Sequence, residues 1–275
     1  MPEHLIDTRL GTLRVTDTGG TGATALLWHS LFVDGRSWGR MLPPLAERRR
    51  VLLVTGPGHG ASGDPGRRYT LHECAEAASQ VLDALSVTEP VDWVGNAWGG
   101  HVGLVFAADW PERCRSLVAL GSPIAALSSA ERRRTRLLLV LYRLTGPSRM
   151  IVEGTTEVLL SSHTIEHDPE AVALVHDCLR HADRPMLRNA VVSISLRRPD
   201  LAGLLARVRQ PALIVTGPEH HGFTPDQARA VVAQLTRGEL AIVADTAYLT
   251  PLEAPEAVAD LVLALWTRVE SEVQP

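Results

Sequence analysis

Hydrophobic and polar positions along the chain fall into two regimes. Over residues 4–9 and 11–17 they alternate, with Gly11 between the runs, which predicts an antiparallel opening hairpin. Short apolar runs then recur at 25–29, 50–55, 91–94 and 115–121. Each is the right length for a buried strand, and stretches of helical periodicity at 37–47, 71–85 and 101–108 separate them. Strands alternating with helices in this way predict a mostly parallel sheet covered on both faces. From Ser122 to about Arg209 the strand pattern stops and helix start signals take over. Ser128 with Glu131 forms a capping box for a helix ending at Gly146-Pro147, and a weaker helical pattern covers 149–160. Asp168-Pro169 and Asp183 open two more helices. The sheet pattern resumes at 211–216, followed by a helix over 224–235, a strand over 239–244 and a helix over 255–266. The expected organisation is a core built from 1–121 and 210–275, with 122–209 inserted as a helical cap.

Composition changes this picture little. The 275 residues are 45% hydrophobic and 21% charged with a net charge of −4, and basic and acidic residues are interspersed. This implies a soluble globular chain with no nucleic-acid or membrane partner. All 27 basic residues are arginine, which excludes Schiff-base chemistry on a lysine. The three cysteines, Cys74, Cys114 and Cys178, lie far apart with no metal or redox spacing, as expected of small buried residues in a reducing cytoplasm. The N-terminus shows no secretory pattern, and the histidines show no metal-ligand spacing. No cofactor is implied, and a homodimer is left open.

The segment 91–108 carries the most information. Its strand runs into Gly95-Asn96-Ala97-Trp98-Gly99-Gly100 and then a helix, the setting in which G-x-S-x-G presents a nucleophilic serine at the top of a sheet. Together with other landmarks this resembles the α/β-hydrolase fold family with an inserted cap, across essentially the whole chain. Trp28-His29-Ser30-Leu31 resembles the oxyanion loop, and Gly56-Pro57-Gly58-His59-Gly60-Ala61-Ser62 the P-G-H-G-x-S turn. Gly217-Pro218-Glu219-His220 falls at the acid loop and Asp245-Thr246-Ala247-Tyr248-Leu249 at the histidine loop.

The resemblance implies a Ser-His-Asp triad, yet the matching positions hold Ala97, Tyr248 and His220 (or His221, one register along). Thr55 and Ser30 also depart from the usual Asp and Gly. The backbone amides of Leu31 and Trp98 are the expected oxyanion donors. Tyr248, His220 and His221 are the candidates for acid–base work. Ser30, His29, Trp28, Phe32 and His101 are expected around the pocket, with the lid run 137–141 supplying an apolar wall. His29 and His59 are read first as loop braces, and Ser30 is the one hydroxyl to consider as a relocated nucleophile.

On this reading the expected function is non-hydrolytic: cyclisation, isomerisation or elimination on a hydrophobic, polyketide-like small molecule. The alternatives are a catalytically inactive ligand-binding or interaction protein and, least favoured, an atypical hydrolase.

Overall fold

The computed structural model describes residues 1–273. Eight strands form one sheet: β1 (Glu3–Thr8), β2 (Gly11–Asp17), β3 (Thr24–Trp28), β4 (Arg50–Val54), β5 (Val91–Asn96), β6 (Cys114–Leu120), β7 (Ala212–Thr216) and β8 (Gly238–Ile242). Their order is β1-β2-β4-β3-β5-β6-β7-β8. The opening hairpin and the β2–β4 pair are antiparallel, and every other neighbour is parallel.

Because side chains alternate across a strand, each central strand feeds two cores. Leu26, Trp28, Trp93, Leu117 and Ala119 face the helices Leu71–Ala84 and Trp98–Asp109. Ala25, Leu27, Val94, Val118 and Leu120 face Leu42–Ala46 and the closing helix Pro255–Val273. The helix Trp98–Asp109 is apolar all round, with eleven of its twelve residues buried, as befits a helix packed between the sheet, the helix Leu71–Ala84 and the short helix Ala202–Leu205.

One expected helix is broken. Residues 37–47 form a 3₁₀ turn, Gly35–Trp38, and a separate short helix, Leu42–Ala46. Pro43 and Pro44 lack the N–H that a helix interior needs, so they are accommodated only in a first turn.

Between β6 and β7 the chain is helical: Ser129–Thr145, Arg149–Leu159, Ser162–His167, Pro169–His181, Arg184–Val191, a π turn at Val192–Leu196, and Ala202–Leu205. The Ser128–Glu131 capping box is formed. The run 137–141 corrects the sequence reading. Leu137, Leu138 and Val140 are exposed on the outer surface of their helix, and only Leu139 and Leu141 pack inward, half-buried. Amphipathic pattern locates an apolar stripe without saying what covers it.

Among the described residues, no helix is long and apolar enough to cross a membrane. No group of three or more metal-ligating side chains occurs among them either.

Candidate active site

The turn after β5 is tight because its glycines leave no alternative. A Cβ on Gly95 would lie 2.1 Å from the Gly99 carbonyl carbon, and one on Gly99 would lie 1.9 Å from Trp28 O. The chain therefore reverses at Ala97, which adopts φ 47° and ψ −99°. A positive φ on alanine is a strained conformation, costing on the order of 1–3 kcal/mol. It is held by Ala97 N–H donating to Leu120 O (2.7 Å) and by the helix that starts at Trp98.

Above this turn lies a cavity of about 430 Å³. Leu31 and Trp98 both line it, and neither backbone amide has an acceptor among the described residues. For Trp98 this follows from its place in the first turn of a helix, where amides have no partner four residues back. For Leu31 it follows from the braced loop beneath. His29 Nε2 accepts from Gly56 N–H (2.9 Å), so its Nδ1–H donates to Ser30 O (2.6 Å). His59 Nε2–H donates to Leu31 O (2.5 Å). Burial and the neighbouring His59 push the His29 pKa down to about 3, so this brace is uncharged.

Ser30, Phe32, His101 and Tyr248 also line the cavity. Trp28 and His29 do not; both are fully buried, with Trp28 packed edge-on against Trp98 at 5.4 Å. His220 is likewise sealed off. Its ring lies beneath Tyr248, its Nε2 is 3.2 Å from Gly121 O, and its Nδ1 has no partner. His221 points to solvent, outside the cavity. The expectation that these two imidazoles reach the pocket is therefore corrected. The acid loop turns inward, and the aromatic ring of Tyr248 takes the place above it.

Tyr248 brings a phenol to the cavity, which Ser30 and Ser195 also line. Its oxygen sits so close to Gly222 that a Cβ there would lie 2.6 Å away. Burial raises its pKa, so the phenol keeps its proton at neutral pH. Two residues that motif reading missed hold its loop. Asn96 Nδ2 donates to Tyr248 O (2.9 Å) and to Leu120 O (3.1 Å), tying the loop to the elbow. Glu253 Oε1 accepts from Ala247 N–H (2.9 Å) and Leu249 N–H (3.0 Å), while its Oε2 accepts from Ser161 N–H (2.6 Å) in the lid. Asn96 precedes the elbow directly in sequence; Glu253 carried no local signal.

The cavity walls are mainly apolar: Ile124, Leu127, Val158, Leu159, Ile194 and Phe223 contribute, and none of 137–141 does. Arg198, also missed from sequence, supplies a buried cation.

Residues 23–143 match a family model described as the alpha/beta hydrolase fold. An esterase from Thermogutta terrifontis superposes with a TM-score of 0.89 at 22% identity, covering 98% of this chain and 99% of its own. The fold is that of the α/β-hydrolases. An enol-lactonase from Burkholderia xenovorans has the same fold, with a TM-score of 0.87 at 20% identity over 97% of this chain and 100% of its own. In sequence, the chain is 28% identical to a Klebsiella pneumoniae 2-hydroxy-6-oxononadienedioate/2-hydroxy-6-oxononatrienedioate hydrolase, covering 93% of this chain and 91% of that one. It is 26% identical to a Xenorhabdus hominickii pyrrolizixenacetamide deacetylase, covering 93% and 94%. These α/β-hydrolase-fold relatives are enzymes, each named for a hydrolytic activity. They contradict the expectation of cyclisation, isomerisation or elimination, which had rested on the retained elbow beside the polar replacements Tyr248 and His220.

Proposed function

We propose that the protein is a hydrolase of small, largely apolar carbonyl compounds in which water, rather than a side chain, attacks the carbonyl carbon. The observation that carries this reading is the pair of unengaged amides, Leu31 N–H and Trp98 N–H, on a cavity whose elbow keeps its strained geometry around a methyl group. Ala97 lines the cavity with a methyl where a triad enzyme has a hydroxyl, and the hydrolytic names of the relatives favour the same class of reaction.

In this reading the substrate carbonyl oxygen accepts from both amides, and water adds to the carbonyl carbon. The tetrahedral oxyanion collapses with expulsion of the leaving oxygen. Tyr248, protonated at neutral pH, donates to that oxygen and recovers a proton from the attacking water. No imidazole base takes part: His220 is sealed, both His29 nitrogens are occupied, and His101, although it lines the cavity, has its Nε2 on Pro123 O (2.8 Å) and its Nδ1 buried without a partner. Ser30 lines the cavity without a base beside it, which leaves water as the nucleophile. Positioning and oxyanion stabilisation alone sustain about 10³–10⁴-fold acceleration over water. The natural substrate is therefore an activated carbonyl such as a lactone, an enol ester or an aryl ester.

The test is hydrolysis of p-nitrophenyl butyrate by wild type, Ser30→Ala and Tyr248→Phe. Turnover that survives Ser30→Ala and falls with Tyr248→Phe supports the reading. Absence of turnover in wild type, or its loss in Ser30→Ala, contradicts it.

A further inference from the structure

Arg198 is 5% exposed, yet it lines the cavity of Ala97 and Tyr248. It follows the π turn Val192–Leu196, whose extra residue per turn helps set the register in which Ile194, Ser195 and Arg198 meet the cavity. Its Nη1 donates to Pro123 O, which also accepts from His101 Nε2 (2.8 Å). Among the described residues its Nε and Nη2 have no hydrogen-bond partner, and neither belongs to the sealed, unpartnered atoms of the interior. Among the described residues no carboxylate comes within ion-pair distance of it. Two acids act on it from a distance, Asp200 and Glu131, the latter also lining the cavity, and both are hydrogen-bonded elsewhere. Glu131 Oε2 accepts from Ser128 N–H (2.7 Å) at the start of its helix, and Asp200 Oδ1 accepts from Ala202 N–H (2.8 Å). His101, buried beside the guanidinium, is held uncharged by that burial and by Arg198 itself, so it supplies no counter-charge.

A buried guanidinium with a free edge and no carboxylate in direct contact is costly, and proteins keep buried charges paired. Burial lowers the Arg198 pKa to about 10, which still leaves it cationic at neutral pH. The partner is therefore to be sought in what enters the cavity. We propose that Arg198 is the anion subsite of this cavity, its Nε and Nη2 gripping a carboxylate carried by the substrate while the carbonyl to be cleaved sits at the Leu31 and Trp98 amides. A planar fork with two adjacent donors matches the two oxygens of a carboxylate. The proposal deepens the hydrolase reading by naming the substrate class: acids bearing a second, activated carbonyl on an apolar frame.

Binding rather than turnover tests it, so that its failure and that of the hydrolytic reading stay distinguishable. The probes are 5-phenylpentanoate and 5-phenylpentanamide, equal in shape and differing in charge, measured by calorimetry at pH 7.5. Wild type is expected to bind the carboxylate at least about tenfold more tightly than the amide. Arg198→Met should abolish that preference while leaving amide affinity unchanged, and Arg198→Lys should keep part of it. Because Met removes an uncompensated charge, the apo variant should melt no lower than wild type. Equal binding of the two probes by wild type, or a preference that survives in Arg198→Met, would overturn the subsite. If Arg198→Met does not fold, the wild-type comparison and Arg198→Lys still decide: a carboxylate preference reduced in Lys supports the subsite, and an unchanged one contradicts it.

Discussion

The His220 ring lies face to face with that of Tyr248, with centroids 3.6 Å apart and 26° between the planes, and its buried Nδ1 meets neither donor nor acceptor. Tyr248 thus roofs the acid loop, and the imidazole acts as a platform. Burial holds the His220 pKa at about 4, below the usual 6.5. The folded state therefore refuses a proton that the unfolded chain accepts between those values. This contribution to stability is fully present above about pH 6.5 and is lost as the pH falls toward 4. Urea midpoints measured from pH 8 to pH 4 should decline through that window. His220→Phe, which keeps the stack and cannot titrate, should decline less steeply; an identical profile would contradict the assignment.

The strain at Ala97 predicts an unusual stabilisation. Glycine adopts φ 47° with far less steric cost, so Ala97→Gly should raise the unfolding free energy by about 1 kcal/mol. Urea denaturation checks this, and a destabilised variant would contradict the strain account.

Glu253 is the clamp of the Tyr248 loop, with four hydrogen bonds shared between the loop and the lid residues Ser161 and Thr164. Glu253→Ala leaves buried amides unsatisfied and should cost on the order of 2–4 kcal/mol. It should also lower kcat more than it raises KM, because it frees the hydroxyl while leaving the cavity walls in place. A stable variant with unchanged kcat would show that the loop needs no clamp.

At the opposite ends of the strands, Asp92 is fully buried and binds three groups: Arg49 Nε (2.8 Å), Arg115 Nη2 (2.6 Å) and Ser116 Oγ (2.6 Å). Removing one partner of a buried ion pair leaves the others uncompensated, so Asp92→Ala should lose about 3–5 kcal/mol of stability, measured by urea denaturation. Residual activity per folded molecule should be unchanged, since none of these residues lines the cavity.

The elbow was legible because its glycines are forced by contacts under 2.5 Å that any such strand–helix turn creates. That the Leu31 and Trp98 amides are left without an acceptor likewise follows from backbone geometry. Side-chain orientation was not. His220 and His221 are adjacent in sequence and differ in fate, one stacked under Tyr248 and one in solvent, because loop closure decides which faces inward. Arg198 looked like any other of the 27 arginines, and its burial depends on how lid helices distant in sequence pack around it. Leu137, Leu138 and Val140 form an apolar run that turned outward. The reaction class also resisted motif reading: absent triad residues argue against one mechanism without excluding hydrolysis by another.

The central claim is direct attack by water, and rapid-quench kinetics with p-nitrophenyl butyrate, followed by intact-protein mass measurement, tests it most closely. Steady nitrophenol release from the first turnover, with the protein mass unchanged at every time point, is the predicted result. A burst of one equivalent accompanied by a butyryl adduct would show a side-chain nucleophile and contradict the account.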